Sequence, residues 1–407
     1  MSQDLIPKMK IRKVEPAHLS QFNDLLRYAF QVTDAELLKI GWENDDIKRS
    51  KYPILESANV IGWFEGPKLA AQIAVYPIQM NVRGYIYDVG FVTGVATYPE
   101  YTGRGLMSAL MKQSLTEMRA HGQSISLLYP YSIPFYRHKG WELISDKMTF
   151  QLKDVQLPKH VSAPGRVRRI AKDSPDLAEL HDRFAEKNHG CILRNGLVWE
   201  EYWRWDADDI MVAVYYGEND EPLGYMVYML TNDVMHIKEI VCLNQEAWDG
   251  LWVYITAHDS MVDKLTGNNY SNTSIAFWLE DSDIKESLQP YMMARIVDVE
   301  KFLSHYNFSA LGKSDCLTLV IKDDLLEWNN LSITLHFDAE GGIAHLSRKE
   351  NADKRAGLNI GTLAALLMGY KRPGYLKTIG RLDADKKTAE LLENVIPREK
   401  AYISDYM

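Results

Sequence analysis

The stretch Gly94-Val95-Ala96-Thr97-Tyr98-Pro99-Glu100-Tyr101-Thr102-Gly103-Arg104-Gly105-Leu106-Met107 leaves a β-branched, aromatic segment, crosses a loop with two glycines and enters an apolar helical stripe. In that stripe Met107, Leu110, Met111, Leu115 and Met118 recur at the spacing of a helix packed on a sheet. Such a junction suits an anion. Glycines let main-chain N–H groups approach a phosphate, and the helix N-terminus adds unpaired donors and a positive dipole end. Two glycines before a helix also fit an ordinary turn. The loop is neither a P-loop nor a dinucleotide fingerprint, because the Gly-Lys-Ser/Thr ending and the third glycine are missing.

Upstream, Leu19 to Ile40 reads as an amphipathic helical stretch carrying Phe22, Leu25, Leu26, Ala29 and Phe30. Val60 to Glu65, Leu69 to Met80 and Ile86 to Thr97 follow as a meander, punctuated by Gly66-Pro67 and Gly84. Downstream, Gly122 ends the helix, Ser124 to Leu128 is a short buried strand, and Ile133 to Lys139 is a short helix or turn closing at Gly140-Trp141. Polar, proline-containing Leu157 to Gly165 and basic Arg166, Arg168 and Arg169 mark a boundary. A second α/β segment then has helical stretches near Leu177 to Lys187 and Gln245 to Leu265, with strands near Met211 to Tyr216, Gly224 to Leu230 and Val234 to Val241. After Arg295 a third segment opens with a helix from Val299 to Tyr306. It continues through strands near Cys316 to Ile321 and Leu331 to Phe337 and ends in helices, Gly361 to Gly369 and Ala384 to Asn394.

The 407 residues exceed one core at roughly 150 residues per domain, so two or three domains are expected. A hydrophobic share of 46% excludes disorder. Lys and Arg number 46 against 55 Asp and Glu; the net charge of -9 argues against a nucleic-acid partner and mildly favours a cationic small molecule. Cys191, Cys242 and Cys316 are too few and too far apart for a disulfide framework or a closed zinc site, which reads as reduced thiols and a cytoplasmic protein. Met1 to Pro16 lacks the apolar core of a secretory signal, and no apolar run approaches the roughly 20 residues that span a bilayer, so no membrane association is expected. No His-Glu-x-x-His or Cys-x-x-Cys spacing calls for a metal.

About 30 residues after the loop comes Phe135-Tyr136-Arg137-His138-Lys139-Gly140-Trp141. The strand, the Tyr-Thr-Gly-Arg-Gly-Leu loop, the helix, the next strand and then Tyr-x-x-x-Gly-aromatic together resemble the acyl-CoA-binding half of the GNAT N-acetyltransferases. Thr102 and Met107 depart from the family's Arg/Gln-x-x-Gly-x-Gly/Ala, while Gly105 keeps its fixed glycine. Across nearly its full length the chain is similar to the Eis-type (enhanced intracellular survival) acetyltransferases. The match rests on a length near 400, a second segment without a pyrophosphate loop, and a C-terminal region resembling a sterol-carrier domain. That region opens at Ala294-Arg295-Ile296-Val297-Asp298-Val299 and nears its end at Leu363-Ala364-Ala365-Leu366-Leu367-Met368-Gly369-Tyr370 and Gly380-Arg381-Leu382.

The resemblance implies a mixed α/β (α+β) architecture of two tandem GNAT-like domains, 1–155 and 156–294, followed by a sterol-carrier-protein-like domain at 295–407. It implies acetyl-CoA as co-substrate, held by Val95, Ala96 and Thr97, by Gly103, Arg104, Gly105, Leu106, Met107 and Ser108, and by Tyr131 and Ser132. Tyr136 takes the general-acid role and the terminal carboxylate of Met407 the general-base role. The implied acceptor is an amine of a polycationic small molecule, aminoglycoside- or polyamine-like, and the implied assembly is a homohexamer. Two other functions stay open, a non-catalytic acyl-CoA- and lipid-binding protein and a protein-lysine acetyltransferase. Elsewhere, His258-Asp259-Ser260 carries triad residue types at helical neighbours that face apart. Asp206, Asp208 and Asp209 read as a solvated loop, and Trp199, Tyr202, Trp203 and Trp205 as core packing.

Overall fold

In the computed structural model, residues 9–39, 42–43, 51–206, 209–271, 273–340, 342–349 and 351–407 are described. Ile40, Asp208 and residues 1–8 of the segment read above lie outside them. The first sheet contains β1 (Met9–Lys13), β2 (Asn59–Glu65), β3 (Lys68–Val82), β4 (Tyr85–Thr97), β5 (Ile125–Leu128) and β6 (Glu142–Leu143). Helix α1 (Leu19–Phe30) packs on it through buried Phe22, Leu25 and Leu26. It stops earlier than the periodicity suggests, because Gln31 turns left-handed (φ 56°) and a separate short helix, Asp34–Lys39, follows. Helix α2 (Leu106–Ala120) buries Leu110, Met111, Leu115 and Met118, each removal from water being worth about 1.5–3 kcal/mol. The short helix α3 (Ile133–Arg137) carries Tyr136.

The second sheet contains β7 (Asp146–Lys153), β8 (Arg166–Ile170), β10 (Met211–Tyr216), β11 (Pro222–Thr231), β12 (Val234–Cys242), β13 (Lys264–Asn269) and β14 (Lys285–Pro290). The short strand β9 (Ile192–Leu193) pairs with β3 of the first sheet. Helices α4 (Pro175–Ala185), α5 (Gly196–Trp203) and α6 (Gln245–Thr256) belong to this region. The helix expected to reach Leu265 ends at Thr256. Leu265 lies in β13, where it joins Ile255 in one hydrophobic cluster, so its apolar spacing served a strand rather than another helical turn.

The two sheets exchange strands. β13 is flanked by β7, whose residues precede the second domain's own helices, with β14 beyond it. The matching place beside β5 is filled by β15 (Met293–Ile296), with β6 beyond it. Thus Ala294 to Ile296, expected to open the C-terminal region, form buried backbone pairs with Ser126 and its neighbours in the first sheet. Every residue of the strand is buried, including its one charged side chain, Arg295.

The last region holds α7 (Val299–Leu303) and a five-stranded sheet of β16 (Asp315–Lys322), β17 (Leu331–Phe337), β18 (Ile343–Ser347), β19 (Arg355–Asn359) and β20 (Asp383–Ala384). Helix α8 (Ile360–Leu367) is wholly buried and α9 (Lys386–Val395) half so. Arg295 of β15 pairs with Asp323 and also donates to the carbonyl of Lys139, tying the last region to the turn after α3. A Cβ at Gly140 would fall on that guanidinium, which gives the Gly-Trp pair of the motif its physical reason.

Candidate active site

β4 and β5 run parallel but pair only through Val89–Phe91 and Ile125–Leu127. β4 continues six residues further, so main-chain groups of Val92 to Thr97 face a wedge rather than a neighbouring strand. A bulge sharpens the bend: Gly94 and Val95 stand opposite Ile73, between the pairs Thr93–Ala74 and Ala96–Gln72. The wedge is a cavity of about 530 Å³. Val95, Ala96 and Thr97 form one wall and Tyr131, Ser132 and Tyr136 the other, with Met407 also lining it. Residues far apart in sequence and expected at the site therefore do meet.

Tyr136 is buried, its ring against Phe135 and Trp141. Its hydroxyl has no protein hydrogen-bond partner among the described residues, and burial pushes its pKa up to about 12. The phenol is therefore protonated at any physiological pH.

The loop Gly103 to Ser108 lies outside the lining of this cavity, at the start of α2. Gly103 and Gly105 have φ of 75° and 74°, and no protein atom lies within 4 Å of where a Cβ would be. Their left-handed backbone is open on its outer side. No side chain caps α2 and no acidic residue sits in its first turn. Lys139 donates to Ser108 Oγ at 2.6 Å, bringing a cation to that end. The cradle suits a pyrophosphate. Arg104 is exposed and donates to the carbonyl of Glu100 at 3.2 Å, with its guanidinium over the Tyr101 ring. It borders the cradle without pointing across it.

A second cavity, of about 120 Å³, adjoins the first; both are lined by Phe30, Thr93, Gly94, Tyr406 and Met407. Its remaining walls are largely apolar, including Phe22, Leu26, Trp42, Ile54 and Trp205. Glu201 is the one side-chain carboxylate among its described lining residues, and it is paired with Lys51 at 3.2 Å and Arg204 at 2.6 Å. Burial pulls the Lys51 ammonium down to about 8, against the attraction of Glu201.

Residues 10–144 and 190–296 each match an acetyltransferase (GNAT) domain, between them more than half of the chain, and residues 299–404 match a sterol carrier protein domain. The chain is a GNAT acetyltransferase. An uncharacterised N-acetyltransferase of Streptomyces avermitilis is 22% identical over 381 residues, 88% of this chain and 89% of that protein. A probable N-acyltransferase from Enterococcus faecalis shares the fold with a TM-score of 0.86 at 24% identity, over 98% of this chain and all of that one. Eis1 from Mycobacterium abscessus does so with a TM-score of 0.80 at 17% identity, over 98% and 100%. These likenesses are likenesses of fold. GNAT domains use acetyl-CoA, and the open glycine loop at the start of α2 fits its pyrophosphate.

Several residues around this GNAT cleft escaped the sequence reading. Thr93 and Tyr406 flank expected positions but carry no motif of their own. Trp205 was assigned to core packing, yet it is well exposed and lines the smaller cavity. Asp206 of the supposed solvated loop pairs with Lys238 at 2.5 Å. His258 bonds through Nδ1 to the main-chain oxygen of Tyr254, in a turn away from the cleft. Cys191, Cys242 and Cys316 are free. Among the described residues no cluster of metal-ligating side chains occurs, and no helix is long and apolar enough to cross a membrane.

Proposed function

We propose that this enzyme moves the acetyl group of acetyl-CoA onto the primary amine of a small acceptor with an apolar or aromatic body. The observation that carries the reading is the junction of the two cavities at Thr93, Gly94 and Met407. It leaves the wedge for the thioester arm and the apolar cavity for the acceptor.

Bound acetyl-CoA supplies the acyl group and a thiol leaving group. An alkylamine with a pKa near 10.4 is almost wholly protonated at neutral pH and must give up a proton before it can attack. The terminal carboxylate of Met407, at the cavity junction, is the proposed acceptor of that proton. Its ordinary pKa of about 3.3–3.7 makes it a weak base, so it acts through water or by holding the ammonium in place. Main-chain N–H groups of Val95 to Thr97 polarise the carbonyl oxygen. Tyr136 serves the sulfur. With its own pKa at about 12, full transfer to a thiolate whose acid has a pKa near 8.5 is uphill by roughly 3.5 pKa units. Its contribution is therefore a hydrogen bond that strengthens as charge develops on sulfur, and as the C–N bond forms and the C–S bond breaks the second proton shed by the nitrogen neutralises the departing thiolate.

The polycationic acceptor implied by the Eis resemblance would need unpaired carboxylates. Glu201 is already shared by Lys51 and Arg204, and Arg27 is paired with Asp34, which leaves the Met407 terminus as the one carboxylate for an ammonium on the described walls. That inventory, with the apolar lining, is why we favour an apolar amine.

Thiol release from acetyl-CoA over a panel of arylalkylamines, polyamines and aminoglycosides tests both levels. We expect the highest kcat/KM with arylalkylamines. Polyamines or aminoglycosides outperforming them would overturn the acceptor class. No release above background, with acetyl-CoA bound, would leave a sensor instead of an enzyme.

A further inference from the structure

The second GNAT domain has no glycine loop, but its sheet repeats the geometry of the first. β12 and β13 run parallel and pair only through Val234–Ile237 and Lys264–Gly267, while β12 continues five residues further to Cys242. In the first sheet this wedge is the cofactor cleft. In the second, the chain's own tail lies against it. The Tyr402 hydroxyl donates to the carbonyl of Ile240 on the unpaired half of β12 at 3.4 Å, and the Tyr402 ring packs on Tyr270 just beyond β13. Tyr291 donates its hydroxyl to the carbonyl of Asp405 at 3.0 Å. Ala401, Ile403, Ser404 and Asp405 are buried, whereas Tyr406 is half exposed and Met407 partly so.

At the centre stands Arg194, with no exposed side-chain surface. It donates from Nε to Asp405 Oδ1 at 2.6 Å and from Nη2 to Glu239 Oε1 at 2.8 Å, and Nη2 also reaches Ser404 Oγ at 3.3 Å. The other oxygen of Glu239 accepts from the hydroxyls of Tyr202 and Tyr225, each at 2.9 Å. Glu239 thus holds the guanidinium in place, and the guanidinium grips the tail two residues before its end. One cation serves two carboxylates. Asp405 Oδ2 is buried without a protein partner, and burial raises the pKa of this group.

We propose that the wedge of the second domain is a socket for the chain's own tail, and that Arg194 is the positioning residue that sets where Met407 meets the first domain's cleft. This deepens the proposed function and rests on Met407 being the base. An anchor two residues away leaves the last residues little freedom, and a reacting group misplaced by about 1 Å can cost 10²-fold in rate.

The test is Asp405→Ala in the full-length protein, with Asp405→Asn as the conservative partner, which keeps an acceptor for Arg194 Nε. Two readouts are taken: release of Met407 and Tyr406 by a carboxypeptidase, and kcat alongside acetyl-CoA affinity. We expect Asp405→Ala to free the tail for digestion and to lower kcat by roughly 10–100-fold with acetyl-CoA affinity unchanged, and Asp405→Asn to restore most of both. A tail as resistant in Asp405→Ala as in the wild type would overturn the socket. A freed tail with unchanged kcat would overturn the positioning role. A chain extended beyond Met407 then separates the two readings: if the extended protein is fully active, Met407 is not the base, whereas the digestion result still decides the socket. Should Asp405→Ala not fold, Arg194→Lys is measured the same way, and an undisturbed tail there overturns the proposal.

Discussion

Thr93 donates its hydroxyl to the main-chain oxygen of Met407 at 3.2 Å, joining positions 314 residues apart. Thr93 lies on β4, two residues past its last pair with β5, where the wedge begins to open. The bond therefore brings the last residue of the chain to the junction of the two cavities.

If the group that matters there is the carboxylate, its place and charge should count for more than the Met407 side chain. Deleting Met407 moves the carboxylate back by about 3.3–3.6 Å of extended chain, and appending residues replaces it with a neutral amide. Both changes should depress kcat while acetyl-CoA affinity, measured by calorimetry, stays unchanged. Met407→Ala should cost much less. A C-terminally extended protein with full activity would remove the carboxylate from the mechanism.

Tyr136→Phe keeps the ring contacts with Phe135 and Trp141 and removes only the hydroxyl. Turnover should fall by roughly 10²–10³-fold if the hydrogen bond to sulfur is made in the transition state. Because burial holds the phenol at about 12, the wild-type rate should show no falling limb from Tyr136 between pH 7 and 10. Steady-state rates across that range check both statements.

Gly105→Val tests the cofactor cradle. No protein atom stands where its Cβ would go, so the side chain would project into the space assigned to pyrophosphate. The left-handed backbone adds about 1–2 kcal/mol of strain, which a melting curve would register separately. Acetyl-CoA affinity should fall sharply in a protein that still melts cooperatively. Unchanged affinity would make the loop a turn and nothing more.

Acid should loosen the second domain. Burial alone would raise the Glu239 pKa, but the adjoining Arg194 charge and the hydrogen bonds it receives outweigh that and hold it at about 2, below its ordinary 4.5. A depressed carboxylate stabilises the fold fully above the ordinary value, and that contribution is lost as pH falls from 4.5 toward 2. Asp405 shifts the opposite way, so its proton does not add to this loss. Melting temperature should therefore drop less steeply through this window in Glu239→Gln than in the wild type, even if the variant starts lower at pH 7. Equal slopes would show that Glu239 is not the titrating group.

Much of the architecture was legible in the sequence because it is local. The stripe Met107 to Met118 matches a helix whose apolar side chains reach the sheet beside them, and Met211 to Tyr216 and Leu331 to Phe337 form strands with those very limits. The loop was legible too, since a left-handed backbone at a helix start depends on Gly103 and Gly105 themselves. Boundaries were harder. Leu265 continued a helical spacing yet belongs to β13, because an apolar residue facing the same core satisfies either period.

By itself, then, the sequence marked many of the helices and strands, the glycine loop at the start of α2 and the short helix that carries Tyr136. Tertiary structure alone decided that β7 and β15 change places between sheets, because an apolar strand pairs with whichever edge folding brings beside it and its pattern does not name the partner. Only the three-dimensional arrangement brought Trp205, Glu201 and Met407 around one cavity, and put Arg194 between Glu239 and Asp405. No periodicity marks such residues. A buried cation and its carboxylates are held in place by burial and charge together, and those arise only once segments hundreds of residues apart have closed around them.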